Sequence, residues 1–151
     1  MASTEQTAKS HRDIVNSYLE RFYGELNEGR PEEDQIPFKL LDDEGFTAIK
    51  KGSATVGINV LEDKGILLFL SDIMPVPDSN QLELFRKLLE LNFLATSDAS
   101  FAVDRRNDRI YLRALRGLEG LDYEEFADLL ETVALVADEW DDKLRDEFGT
   151  Q

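Results

Sequence analysis

Apolar residues first recur along this chain at helical spacing. Ile14, Val15, Tyr18, Leu19, Phe22 and Leu26 follow at three- and four-residue steps, sharing one face of a helix from about Ser10 to Glu28. Gly29-Arg30-Pro31 stops it, Pro31–Gln35 reads as a loop, and Ile36–Leu41 reads as a short extended segment. The pattern then changes to alternation. Phe46–Lys50 makes a short strand, and Lys51-Gly52 a turn. Ala54, Val56, Ile58 and Val60 alternate with Thr55, Gly57 and Asn59, as in a strand with one buried face. Glu62-Asp63-Lys64-Gly65 closes a hairpin onto a third strand, Ile66–Met74. This strand is apolar on both faces over Ile66–Leu70, which predicts a central place in the sheet. Pro75 and Pro77 end it, because proline cannot donate to a ladder.

Asp78, Ser79 and Asn80 are candidate N-caps for a second helix reaching about Leu94, with Gln81 or Glu83 completing a capping box. Leu82, Phe85, Leu88, Leu89 and Phe93 form one stripe, and Leu84, Leu91 and Leu94 widen it. A helix with so little polar face is covered on two sides or faces a partner. Ser100–Asp104 and Arg109–Arg116 form a second hairpin around Arg105-Arg106-Asn107-Asp108. Asp122 as N-cap, Glu125 three residues on, and Leu121 set against Phe126 open the last helix with a capping box and a hydrophobic staple. Its stripe is Phe126, Leu130, Val133, Ala137, Trp140 and Leu144. The order α-β-β-β-α-β-β-α, with short turns, predicts an α+β fold: an antiparallel sheet with helices packed on it. The expected organisation is a flexible N-terminus (1–9), a single α+β domain (10–148) and a short tail (149–151).

Charge is unevenly spread. The net charge is −15, and residues 119–148 hold twelve carboxylates against Lys143 and Arg145, whereas residues 36–118 hold eleven bases and twelve acids. An apolar share of 42% with 9% aromatics is that of a folded protein, not of a disordered acidic tail. Cysteine is absent, which removes disulfides, thiolate metal sites and a cysteine nucleophile. MASTEQTAKSHRD has no apolar core for a signal peptide, and a purely apolar run such as Ile66–Leu70, which no other run in the chain exceeds, is far too short to span a bilayer. A pI near 4.4 disfavours nucleic acid and anionic membranes. A cytoplasmic protein that binds neither is expected.

Candidate chemistry is sparse. The one histidine, His11, stands at the start of the first helix beside Arg12 and reads as a solvated residue. Asp138-Glu139 and Asp141-Asp142 could attract divalent cations weakly, but they lack the glycine and alternating oxygen ligands of a calcium loop and read as a solvated helix face. No serine sits in a glycine elbow, and Gly117-Leu118-Glu119-Gly120 carries an acid where a phosphate would be repelled. No catalytic residue, cofactor or metal site is therefore expected, and the chain reads as a non-enzymatic binding module; a small-molecule or metal-binding protein is the alternative of another class. Arg105, Arg106, Arg109, Arg113 and Arg116 cluster with only Asp108 opposing them. They either balance the acidic helix that follows or dock an acidic peptide or the acidic helix of a second subunit.

Leu88-Leu89-Glu90-Leu91-Asn92-Phe93-Leu94, Ser100-Phe101-Ala102-Val103-Asp104, a tight turn, Arg109-Ile110-Tyr111-Leu112-Arg113, then Gly120-Leu121-Asp122 opening a long helix with Trp140, resemble the type III secretion chaperone-like superfamily. The resemblance covers about residues 10–148 and has two branches. Class I secretion chaperones are small acidic homodimers that hold an effector segment without ATP; YbjN-like proteins share the fold in regulatory or stress roles. The longer loop Gly29–Gly45 and a more polar second strand favour the YbjN-like branch. The resemblance implies a homodimer joined through the middle helix, at Leu84, Leu88, Leu91 and Leu94, and the adjacent second hairpin, and it transfers no catalytic residue; the clustering of Arg105, Arg106, Arg109 and Arg113 makes them the expected partner-binding patch.

Overall fold

The structure, a computed structural model, describes residues 10–149. The N-terminus expected to be flexible (1–9) and tail positions 150–151 lie outside the described residues. Chain order is α1 (His11–Asn27), β1 (Phe46–Lys51), β2 (Ala54–Leu61), β3 (Ile66–Pro75), α2 (Gln81–Leu94), β4 (Ser100–Asp104), β5 (Arg109–Gly117) and α3 (Tyr123–Phe148). This is the α+β fold expected, with every strand pair antiparallel and the strands ordered β1-β2-β3-β5-β4. The doubly apolar β3 is central, as its sequence required. A register shift between Asp72 and Met74 lets Ile73 and Met74 both turn inward, the two-versus-one count of a β-bulge.

Alternation places Val56, Ile58, Leu67, Phe69, Ile110 and Leu112 on one face of the sheet, all buried. The helices cover that face: α3 lies over β2 and β3, α1 packs against α3 and β2, and α2 packs against β4. Phe126 of α3 is the hub, its ring centroid 5.7 Å from those of both Phe69 and Tyr18. The final helix starts as its sequence predicts, with the Asp122 carboxylate accepting from the Glu125 amide at 2.8 Å and Leu121 and Phe126 both buried. The second helix does not. Its N-cap, Asn80, is left-handed (φ 59°) and its side chain caps nothing; Gln81 instead donates to the Pro77 carbonyl at 2.7 Å. A side-chain cap requires an extended backbone at that position, which Asn80 lacks.

Ile36–Leu41 is not a strand. The Asn27 side chain bonds both backbone groups of Ile36 (2.7 and 2.8 Å), Asn16 accepts from the Leu41 amide, and Thr47 donates to the Lys39 carbonyl. Side chains thus satisfy this segment's backbone where a ladder would otherwise have to. His11 is not a free solvated residue either: its Nδ1 lies 3.1 Å from the Glu62 carboxylate, which also accepts from the Arg12 amide.

The N-terminus of α3 is tied to α1 by the Tyr123 hydroxyl, which donates to the Glu25 carboxylate at 2.6 Å, while the Arg21 guanidinium lies 3.9 Å over the Tyr123 ring. That hydrogen bond, with Arg21 adding to it, holds the Glu25 carboxyl below its ordinary value. Burial, and then Glu25, push the Tyr123 hydroxyl well above the usual tyrosine range. A depressed carboxyl contributes stability that is complete above its unfolded pKa and lost as pH falls through the folded one. Tyr123→Phe is therefore expected to move the Glu25 titration, followed by carboxyl NMR shifts, up toward the ordinary value and to shrink the loss of stability on acidification. An unmoved titration would refute the coupling.

Candidate functional site

Between the end of α1, strand β1 and α3 lies a cavity of about 390 Å³. Phe22, Leu26, Ile49, Leu130 and Ala134 supply an apolar floor, and Arg30, Lys50 and Lys51 bring three cations against the single acid Glu131. The cavity opens beside a sheet edge. Residues 39–42 cover the start of β1, where the Asp42 amide donates to the Phe46 carbonyl; from Ala48 to Lys51 the outer edge bonds no other described backbone group. An uncovered edge strand is a template for an added strand.

One wall of this cavity is held by acids of α3. Gly52, at the β1–β2 turn, has φ 58° and no room for a Cβ, because the Asp138 carboxylate fills that space. The Ser53 amide donates to Asp138 at 3.0 Å, and the Ser53 hydroxyl reaches the Asp141 carboxylate at 2.8 and 2.9 Å. Arg145 approaches Asp141 at 3.2 Å, and the Asp141 side chain is only 3% exposed. The reading of Asp138 and Asp141 as a solvated face is thus corrected: they clamp a turn. The sequence contained the signal, since Asp141 stands four residues after Ala137 and three before Leu144, inside the apolar stripe. Among the described residues, no group of three or more acids, histidines or cysteines converges as a metal site.

The middle helix is turned relative to expectation. Leu84, Leu88 and Leu91 are 0, 5 and 7% exposed and belong to the chain's own core, so three of the four residues expected to meet a second chain are occupied already. The reason is packing at i, i+4 and i+7 beside β4, locked by the Asn92 side chain, which bonds the amide and carbonyl of Phe101 at 2.7 and 3.2 Å. Leu94 (79% exposed) stays outside with Leu82, Leu89 and Phe93 (83, 69 and 87%), and these form the helix's free apolar face.

Arg105, Arg106 and Arg113 do converge, around an open depression of about 350 Å³ lined also by Leu70, Ala102 and Tyr111. Arg109 is engaged separately with Asp72 at 2.8 Å. None of the four pairs with α3 among the described residues; the acids of α3 pair with Arg21, Lys143 and Arg145. The sheet explains this. Ile110, Leu112 and Ala114 of β5 are buried under the helices, so Arg109 and Arg113 project from the opposite face. Arg105, Arg106, Arg109 and Arg113 therefore do not pair with the acidic helix among the described residues. No helix among the described residues is long and apolar enough to cross a membrane.

This layout recurs in known proteins. No curated protein sequence matches the chain significantly. Among solved structures, a chain of the ExsC–ExsE complex superposes with TM-score 0.67 at 23% identity, covering 90% of this chain and 97% of the other. The ExoU–SpcU heterodimer from the type III secretion system of Pseudomonas aeruginosa gives TM-score 0.60 at 19% identity, covering 89 and 97%. The Yersinia pestis type III secretion chaperone SycH, bound to a fragment of YscM2, gives 0.54 at 18%, covering 81 and 95%. These likenesses are of fold. The sequence model of the Tir chaperone protein (CesT) family matches residues 35–141, which span β1 through most of α3 and include the arginine hairpin and the β1 and α3 sides of the cavity. With that match over most of its length, the chain belongs to the Tir chaperone protein (CesT) family.

Proposed function

We propose that this protein is a non-catalytic secretion chaperone that holds an extended segment of a partner protein without ATP. The observation that carries the reading is the apolar, cation-rimmed cavity beside the open edge of β1. A segment laid against Ala48–Lys51 gains main-chain hydrogen bonds, and every second side chain points toward the cavity side. An apolar residue there, next to an acidic one, matches the Phe22–Ile49–Leu130 floor and the Arg30, Lys50 and Lys51 rim. The family match, and a type III secretion chaperone bound to a fragment of another protein among the similar folds, support this over a YbjN-like regulatory role. A homodimer is part of the proposal, joined through Leu82, Leu89, Phe93 and Leu94, whose exposure in one chain is what an association surface requires.

The test is retention of a partner on the tagged protein, with its bound segment located by protection from proteolysis. Lys50→Glu with Lys51→Glu is expected to weaken that complex at least about tenfold, and more steeply at low salt, since it reverses the charge at the cavity mouth. Ala134→Phe, which intrudes on the floor, is expected to do the same without salt dependence. Unchanged affinity in both variants would refute the cavity as the site.

A further inference from the structure

One face of the molecule is used by neither the cavity nor α2. Because all three helices pack on one side of the sheet, the other side is bare among the described residues. There the Phe46 ring of β1 lies over Gly57, 3.0 Å from where a Cβ would stand. The apolar stripe continues through Leu68 and Leu70 of β3 to Leu115 of β5, with Phe46 and Leu115 44 and 46% exposed. It runs out at the depression rimmed by Arg105, Arg106 and Arg113.

Those arginines stand apart from most others in the chain. Arg21, Arg86, Arg109 and Arg145 bond carboxylates, and Arg12 and Arg30 bond backbone carbonyls. The guanidinium groups of Arg105, Arg106 and Arg113 have neither kind of partner among the described residues. The one acid lining the hollow, Asp104, is turned to the Arg106 amide at 2.9 Å. A protein with net charge −15 thus keeps, among its described residues, three unmatched cations around one hollow, beside an apolar stripe on a sheet face that no described helix covers. Like charges so placed repel one another until an anion joins them.

We infer that this bare face is a second docking surface, which takes an acidic segment of the partner protein with its apolar side chains on Leu68, Leu70 and Leu115 and its carboxylates on Arg105, Arg106 and Arg113. This rests on the reading of the protein as a holder of partner segments and adds a chemical class to what it holds. A second copy fits less well, because the most exposed large apolar side chains, Leu82, Leu89, Phe93 and Leu94, lie on α2 and suit a copy better. Nucleic acid is disfavoured by the net charge of −15.

The experiment is fluorescence anisotropy on the full chain with a labelled glutamate–leucine peptide, against the same peptide carrying lysine for glutamate. Saturable binding of the acidic peptide alone is expected. Arg105→Glu with Arg113→Glu, both exposed, should weaken it at least about tenfold and flatten its salt dependence. Backbone NMR shifts should gather at Leu70, Ala102 and Tyr111 and not at Ile49 and Ala134. Absence of saturable binding, equal binding of the lysine peptide, an indifferent double variant, or shifts confined to the cavity would each overturn the inference. So would loss of self-association in the double variant, which assigns the face to a second copy, or tighter binding of a single-stranded RNA. If the native partner is still retained, and is still released by Lys50→Glu with Lys51→Glu, only this inference fails. If wild type retains no partner at all, it is the chaperone reading that fails.

Discussion

Leu84→Glu is expected to unfold the chain, whereas Leu89→Glu with Phe93→Glu is expected to keep the fold and yield a monomer. Leu84 is 0% exposed, so the substitution removes a buried side chain and puts an unpaired carboxylate in its place. Each part costs several kcal/mol, and a total above about 5 kcal/mol equals the whole stability of many single domains. Leu89 and Phe93 stand 69 and 87% exposed, where a charge stays in water and changes stability within about 0.5 kcal/mol. If these two side chains form the proposed dimer contact, two carboxylates per chain placed face to face abolish it. Circular dichroism melting separates the first outcome, and sedimentation velocity the second. A folded Leu84→Glu protein would refute the inward setting of that residue, and a double variant that still dimerises would move the interface elsewhere.

Phe126→Ala is expected to lower unfolding free energy by about 3–5 kcal/mol, the range for emptying a fully buried aromatic site. The upper half of that range is favoured because Phe126 is 0% exposed and its ring meets Phe69 on β3 and Tyr18 on α1. Such aromatic pairs add about 0.5–1.5 kcal/mol beyond area burial. The change removes a side chain whose ring joins α3 to both the sheet and α1, so the melting temperature should fall on the order of 10 °C for a chain of this size. Urea denaturation with an unchanged m-value would confirm a loss of packing; a fall below about 2 kcal/mol would show that neighbouring side chains close the gap.

Much of the fold was legible because local patterns and global packing agree. Alternation in β2 marked its buried face, the doubly apolar β3 marked the centre of the sheet, and Asp122 with Leu121 and Phe126 marked the start of α3. Where reading failed, two local patterns competed. In α2 nearly every face is apolar, so periodicity supplied no phase; Asn92, bonded to Phe101, and the contact with β4 chose Leu84, Leu88 and Leu91 as the inward set. At 78–80 three good caps followed one another, and none caps, because Asn80 adopts a left-handed backbone. At Asp141 polarity was weighed above position, although position decided: the carboxylate is buried because the Ser53 hydroxyl and Arg145 meet it there.

The candidate site was less legible than the fold. Convergence of Arg105, Arg106 and Arg113 followed from a tight hairpin and could be read directly. Their partner could not, because sequence neighbourhood suggested the acidic helix and the sheet put that helix on its other side.

By itself the sequence determined the elements, their order, the antiparallel pairing and the concentration of acid in the last helix, since each rests on spacing within a few residues or a short turn. Only the tertiary structure decided which leucines of α2 remain outside, that Asp138 and Asp141 clamp the β1–β2 turn, and that the cavity forms where α1, β1 and α3 meet. It also separated Arg105, Arg106, Arg109 and Arg113 from the acids that follow them. These are contacts between residues tens of positions apart, set by which face of a two-sided sheet each helix covers, and no local period encodes that choice.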